Sequence, residues 1–124
     1  MVAYFFDTYA LIEIEKENKN YEPYKQAEVI TTRLNLMEFY SSLLNDFKEN
    51  MAEEAFGYYL ESCVSITDNI LKEAVKFRIK MMQTLKKKTG RPSYIDCIGY
   101  IVAKNFGIKF LTGDNAFKDL DNVE

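Results

Sequence analysis

Short apolar or β-branched runs alternate with longer stretches of helical spacing along the chain, and that alternation restricts the fold more than any single residue does. The runs are Val2-Ala3-Tyr4-Phe5-Phe6, Glu28 to Thr32, Cys63 to Thr67, and Ile108-Lys109-Phe110-Leu111-Thr112. Between them apolar residues recur three and four apart, the spacing of a helix that buries one face. Leu36, Phe39, Tyr40, Leu43 and Phe47 mark a helix from Asn35 to about Lys48. Ile70, Leu71, Ala74, Phe77, Met81 and Leu85 mark another, capped by Thr67 or Asp68 and running to about Lys87. Further helices are expected from Tyr9 to about Glu17, from Met51 to Leu60, and from Ser93 to Asn105, the last stopped by Gly107. Strands that alternate with helices pair in parallel and need cover on both faces. The expected fold is α/β, a three-layer α/β/α sandwich with a central mainly parallel sheet. A short extra strand is expected near Val123. No repeat, low-complexity tract or linker divides residues 1–124, which read as a single domain.

Four carboxylates fall at special places in that pattern. Asp7 closes the first apolar run, and Asp114 follows the last. Glu38 and Asp96 lie near the starts of two helices. In an open α/β sheet the carboxyl ends of the strands form the edge where ligands bind. The helix from Ser93 leads into the strand at 108–112 and so runs antiparallel to it, which brings Asp96 toward Asp114. Converging carboxylates repel unless a cation lies among them, and hard divalent cations take oxygen ligands. Mg²⁺ or Mn²⁺ is therefore expected before any family is considered. Gly99 and Ala103, beside Asp96 on its helix, are expected to leave room for an ion or a phosphate. Glu38 faces Leu34, Ser41, Ser42 and Asn45, which suits a polar groove or solvent.

Each acid also has a purely structural reading. Asp7 caps the helix that follows it. Asn35-x-x-Glu38 and Ser93-x-x-Asp96 have the spacing of capping boxes. Asp114 sits in a Gly-Asp-Asn turn, where Asp is common for local reasons.

Composition removes other chemistries. The chain has no histidine, which excludes a Ser-His-Asp or Cys-His site and a His-ligated zinc. Acid–base work would fall to carboxylates, Lys, Tyr or metal-activated water. Two cysteines, Cys63 and Cys97, lie in apolar stretches without CxxC spacing and are expected as buried thiols. No apolar stretch is long enough to span a bilayer, and the amino-terminal run lacks the basic start of a signal peptide, so the cytoplasm is the expected location. The net charge is −3, yet Lys72 to Arg91 holds eight cations against one anion, Glu73. Its densest part, Lys86-Lys87-Lys88 with Arg91, leads into the helix of Asp96 and is expected to guide a polyanion toward the acids; the bland reading is a solvated helix end.

The ordered pattern resembles the PIN domain, the nuclease fold of the VapC toxins. Phe5-Phe6-Asp7-Thr8-Tyr9-Ala10-Leu11-Ile12 resembles the family's first strand, its Asp-Ser/Thr pair and first helix. Ile30-Thr31-Thr32-Arg33-Leu34-Asn35-Leu36-Met37-Glu38 resembles its second strand and glutamate-bearing helix. Tyr94-Ile95-Asp96-Cys97-Ile98-Gly99-Tyr100-Ile101-Val102-Ala103 resembles its Asp-containing helix, and Leu111-Thr112-Gly113-Asp114-Asn115-Ala116-Phe117 its closing Thr-x-Asp-x-x-Phe. Arg33 departs from the smaller polar residue expected there. The resemblance implies Mg²⁺- or Mn²⁺-dependent RNA cleavage with Asp7, Glu38, Asp96 and Asp114 as catalytic residues. Asp7, Asp96 and Asp114 would hold the metal, and Thr8 and Thr112 would supply hydroxyls. It also implies a cognate antitoxin partner and a homodimer, for which Phe56, Tyr58, Tyr59, Met81 and Met82 are candidate contacts. The rival reading is a catalytically silent PIN-like module that binds RNA or protein.

Overall fold

The computed structural model describes residues 1–84, 91–118, 120 and 122–124. Strand β1 (Ala3–Phe6) lies at the centre of a three-stranded sheet, with β2 (Glu28–Ile30) on one side and β3 (Lys109–Leu111) on the other. Both pairings are parallel, with Phe5 opposite Ile30 and Phe110, and Phe6 opposite Leu111. Helices α1 (Thr8–Glu15), α2 (Arg33–Asp46), α3 (Glu49–Tyr59), α4 (Asp68–Thr84) and α5 (Tyr94–Phe106) connect and cover the strands.

The layers follow from the period-two pleat of β1. Phe5 points to one side, where it joins Phe110, Ile70, Ala74 and the apolar face of α5. Phe6 points to the other, where it joins Leu111, Leu11, Leu36, Phe39 and Ala52. α1 to α3 thus cover one face and α4 and α5 the other, giving the sandwich that the alternation predicts. Two expected strands shrink to single parallel bridges, Thr31 with Cys63 beyond β2 and Phe110 with Val123 beyond β3. Cys63 follows a tight turn at Leu60–Ser62, and only one residue reaches register before the chain turns into α4.

Helix starts also differ from expectation. α2 begins at Arg33 because Thr32, not Asn35, is its N-cap, its hydroxyl accepting from Asn35 N. Thr67 caps α4, accepting from Ile70 N. α5 carries the expected box: Ser93 Oγ accepts from Asp96 N at 3.0 Å, and Asp96 accepts from Ser93 N at 3.1 Å. Gly107 ends α5 in the left-handed conformation, as the sequence predicts.

Gly99 and Ala103 do not leave room for an ion. Both are buried, and a methyl built on Gly99 would lie 2.6 Å from Cε1 of Phe5 and 3.2 Å from Cε1 of Phe110. The small residues let α5 press onto the sheet's two phenylalanines. Cys97 is buried in the same layer, and burial, with Asp96 nearby, pushes its thiol up to about 12. Cys63 is also free, its Sγ within reach of the Tyr59 carbonyl. Cys63 is half-buried rather than buried as expected, and its partial burial still raises its thiol. Among the described residues no helix is long and apolar enough to cross a membrane.

Gly99→Ala should therefore destabilise the fold, although alanine is the better helix former. Overpacking of this kind costs roughly 1–3 kcal/mol, more than the ~1 kcal/mol gained in helix propensity. Equilibrium urea unfolding should show a lower midpoint at unchanged slope.

Candidate active site

Asp7 is the residue immediately after β1, at the carboxyl edge of the sheet. Its carboxylate caps α1, accepting from Ala10 N at 2.8 Å, and is only 3% exposed. The Thr112 side chain is its second partner. Thr112 follows β3 and also accepts from Asp114 N at 3.0 Å. One threonine thus ties the ends of two neighbouring strands together. Asp114 in turn accepts from Ala116 N at 2.9 Å, closing the turn that was the bland reading of this residue.

Asp7, Asp96 and Asp114 come close enough to act on one another electrostatically. Burial, helped by the charges of Asp96 and Asp114, raises the Asp7 carboxyl to about 7 against its two hydrogen bonds. Burial likewise raises Asp96; its hydrogen bonds with Ser93 lower it, and Asp114 raises it. The structural and functional readings of these acids are therefore compatible. Each cap or turn fixes a carboxylate at the common edge.

The donor set, carboxylates and hydroxyls, fits a hard divalent ion in kind. It is open: among the described residues no three His, Cys, Asp or Glu side chains are drawn together tightly enough to hold an ion.

Glu38 reaches the same edge by a different route. Its Oε1 accepts from Thr8 Oγ1 at 2.7 Å. Thr8 Oγ1 accepts from Asn35 Nδ2 at 3.2 Å, and Asn35 Oδ1 accepts from Thr32 Oγ1 at 2.6 Å. Glu38 is thus no capping-box acid; it ends a buried polar chain. Asn35 and Thr32 are wholly buried, and Thr31 Oγ1 donates to the Phe6 carbonyl at 2.9 Å. Sequence reasoning missed Asn35, Thr31 and Thr32 as supports of the site. The Thr-x-x-Asn spacing from Thr32 to Asn35 was the available signal. Of the two surroundings the sequence allows Glu38, a polar groove or solvent, the structure shows an open groove of about 510 Å³ lined by Glu38 itself with Met37, Ser41, Ser42 and Asn45.

The basic cluster is only partly in view. Arg91 is exposed. Lys86, Lys87 and Lys88 lie outside the described residues. Arg78 is better placed than the sequence indicated. Its Nε donates to the Pro92 carbonyl at 2.9 Å, and its guanidinium lies 4.5 Å over the Tyr94 ring, two residues from Asp96. The expected dimer contacts need correction: Tyr59 and Met81 are buried in the chain's own core, and only Tyr58 of the five is broadly exposed.

A parallel α/β sandwich with acids gathered at the carboxyl edge of its sheet places a candidate cation-binding site where α/β folds bind their ligands. The PIN domain model matches residues 4–123, and the chain belongs to the PIN domain family. PIN domains are generally nucleases that use divalent metal ions. No curated protein matches the sequence. Among solved structures, a toxin–antitoxin complex from Klebsiella pneumoniae is similar at 19% identity and a TM-score of 0.71, covering 98% of this chain and 96% of that one. The sarcin–ricin loop cleaving toxin VapC20 of Mycobacterium tuberculosis is similar at 18% identity and a TM-score of 0.70, covering 98% and 99%. A protein of Pyrobaculum aerophilum has 16% identity and a TM-score of 0.68, covering 99% and 90%.

The raised Asp7 carboxyl gives stability a pH dependence of definite sign. With its carboxyl raised to about 7, folded Asp7 keeps its proton to near neutral pH, whereas the unfolded chain releases it near the ordinary carboxylate value of 3.8. Stability in EDTA should thus fall as pH rises between those values and then level off. Asp96 adds to the trend. Asp7→Asn, which retains a good N-cap residue, should flatten the decline and melt above the parent at neutral pH. Melting temperatures followed across that range check both statements.

Proposed function

We propose that this protein is a Mg²⁺- or Mn²⁺-dependent endoribonuclease, the toxin of a toxin–antitoxin pair. The observation that carries the reading is a carboxylate, Asp7, buried at the end of the central strand beside Asp96 and Asp114 with no histidine in the chain. Asp7, Asp96 and Asp114 hold the ion in this reading, and Glu38 completes the acidic centre through Thr8. Thr112 keeps Asp7 and the Asp114 turn in register. A divalent ion at such a centre makes water nucleophilic near neutral pH and offsets charge on the phosphate. The chain's own part is to hold oxygen donors at fixed places: Ser93 aims Asp96, Ala10 N aims Asp7, and Asn35 aims Thr8 and hence Glu38. Lys86, Lys87, Lys88 and Arg91 would draw in the RNA.

The family supports the nuclease reading, and the likeness to toxin structures supports an antitoxin partner. A cytoplasmic homodimer using Tyr58, with the half-buried Phe56 and Met82, and a single domain over residues 1–124 belong to the same reading. The rival, a catalytically silent binding module, draws on the open spacing of the acids.

Cleavage of single-stranded RNA separates the two. The protein should cut with Mg²⁺ or Mn²⁺ and stop in EDTA. Asp96→Asn preserves shape and can still cap α5, but removes charge; it should cut at least a hundredfold more slowly, in line with losses of ~3 kcal/mol in transition-state stabilisation. An intact fold by circular dichroism with undiminished cleavage would overturn the assignment.

A further inference from the structure

We propose that Tyr9 is the platform on which a base of single-stranded RNA stacks beside the acidic centre, an inference that rests on the ribonuclease reading above. Tyr9 is the second residue of α1, two beyond Asp7, and is 47% exposed. It is nevertheless a seated ring. A methyl built on Gly113 would lie 2.2 Å from its Cε1 and 2.7 Å from its Cδ1 and Cζ. The turn that carries Asp114 therefore runs directly against the ring and admits no side chain there. On another side the ring meets Tyr21, centroids 6.3 Å apart, and Tyr21 continues to Tyr24 at 5.9 Å. Tyr9 is thus anchored between the Asp7 strand end and the Asp114 turn while much of it faces solvent.

The chemistry selects the occupant. Every base has a π face, and single-stranded RNA is commonly recognised by stacking on aromatic side chains. A carboxylate cluster repels phosphate, so a neutral ring can place a nucleoside there without placing further charge in the site. Other exposed tyrosines serve less well. Tyr94 already carries the Arg78 guanidinium over its ring, and Tyr58 lines a separate cavity with Glu15, Met51 and Glu54.

The test uses the full chain bearing Asp96→Asn, so that RNA stays intact. The probes are a short fluorescent single-stranded RNA of mixed sequence and a set of the same RNA with one abasic position each. Adding Tyr9→Ala should weaken binding of the intact RNA about tenfold, the range of one lost base–aromatic stack. Tyr9→Phe should restore it. Because the ring is neutral, the dependence of affinity on salt should not change. With the abasic position at the stacked base, alanine and tyrosine should bind alike. Gly113→Ala, which keeps the tyrosine but forces the ring aside, should reproduce the alanine loss even if Tyr9→Ala fails to fold. Equal affinity of all these variants for the intact RNA would overturn the proposal, as would a loss that is the same at every abasic position. If the parent protein neither cuts nor binds RNA, the ribonuclease reading falls and Tyr9 with it. If the parent cuts and Tyr9→Ala cuts with unchanged KM, only the platform falls.

Discussion

The buried carboxylate of Asp7 is the costly element around which this edge of the fold is organised. Removing a charge from water is expensive unless partners replace its hydration. Here a helix-start N–H and the Thr112 side chain do so only in part, since the carboxyl remains raised to about 7. Two more acids nearby worsen the balance. What holds Asp7 in place is the strand before it. Phe5 and Phe6 bury on opposite faces of the sheet, so β1 cannot slide by one residue without exposing both cores. The register that buries two phenylalanines is the same register that places Asp7 at the edge.

Much of this was legible in the sequence because two periods are hard to confuse. The run ending at Phe6 and the helical stripe of α5 give the layers, the parallel sheet and the edge where the acids lie. Legibility failed where a local pattern had two solutions. Asn35-x-x-Glu38 and Thr32-x-x-Asn35 both have helix-start spacing, and the three residues Arg33 to Asn35 decide between them. That extra turn is won by tertiary structure: Thr32 and Asn35 are buried under α1, where their polar groups need partners, and Thr8 supplies one. The strand at Cys63 failed for the same kind of reason. Its β-branched composition was right, but the turn before it and the cap of α4 after it leave one residue in register.

Small residues beside Asp96 illustrate a different limit. A glycine on a helix signals close approach, and sequence cannot say of what. Gly99 faces Phe5 and Phe110, so the approach is of the sheet. Its contribution to the site is indirect: it lets α5 sit close enough that Asp96, one turn earlier, reaches the edge. Gly113 carries the same signal with another partner, the ring of Tyr9. In neither case does the glycine open a space; it removes a side chain so that an aromatic ring can occupy that volume.

In the proposed reading an acidic centre that handles a polyanion faces opposed demands, and the fold separates them in space. The carboxylates are held by backbone N–H groups and hydroxyls rather than by cations: Ala10, Ser93 and Ala116 donate to Asp7, Asp96 and Asp114. No lysine or arginine forms an ion pair with any of these three acids among the described residues. Their charge is therefore not offset by an ion pair among the described residues. Arg78 is tied instead to the Pro92 carbonyl and the Tyr94 ring. Had it paired with Asp96, it would have lowered that carboxyl and offset the charge that the proposed cation site needs. Hydrogen bonds fix the acids without pairing them to a cation, so one set of residues can cap helices and, in the proposed reading, still offer oxygen donors to a divalent ion.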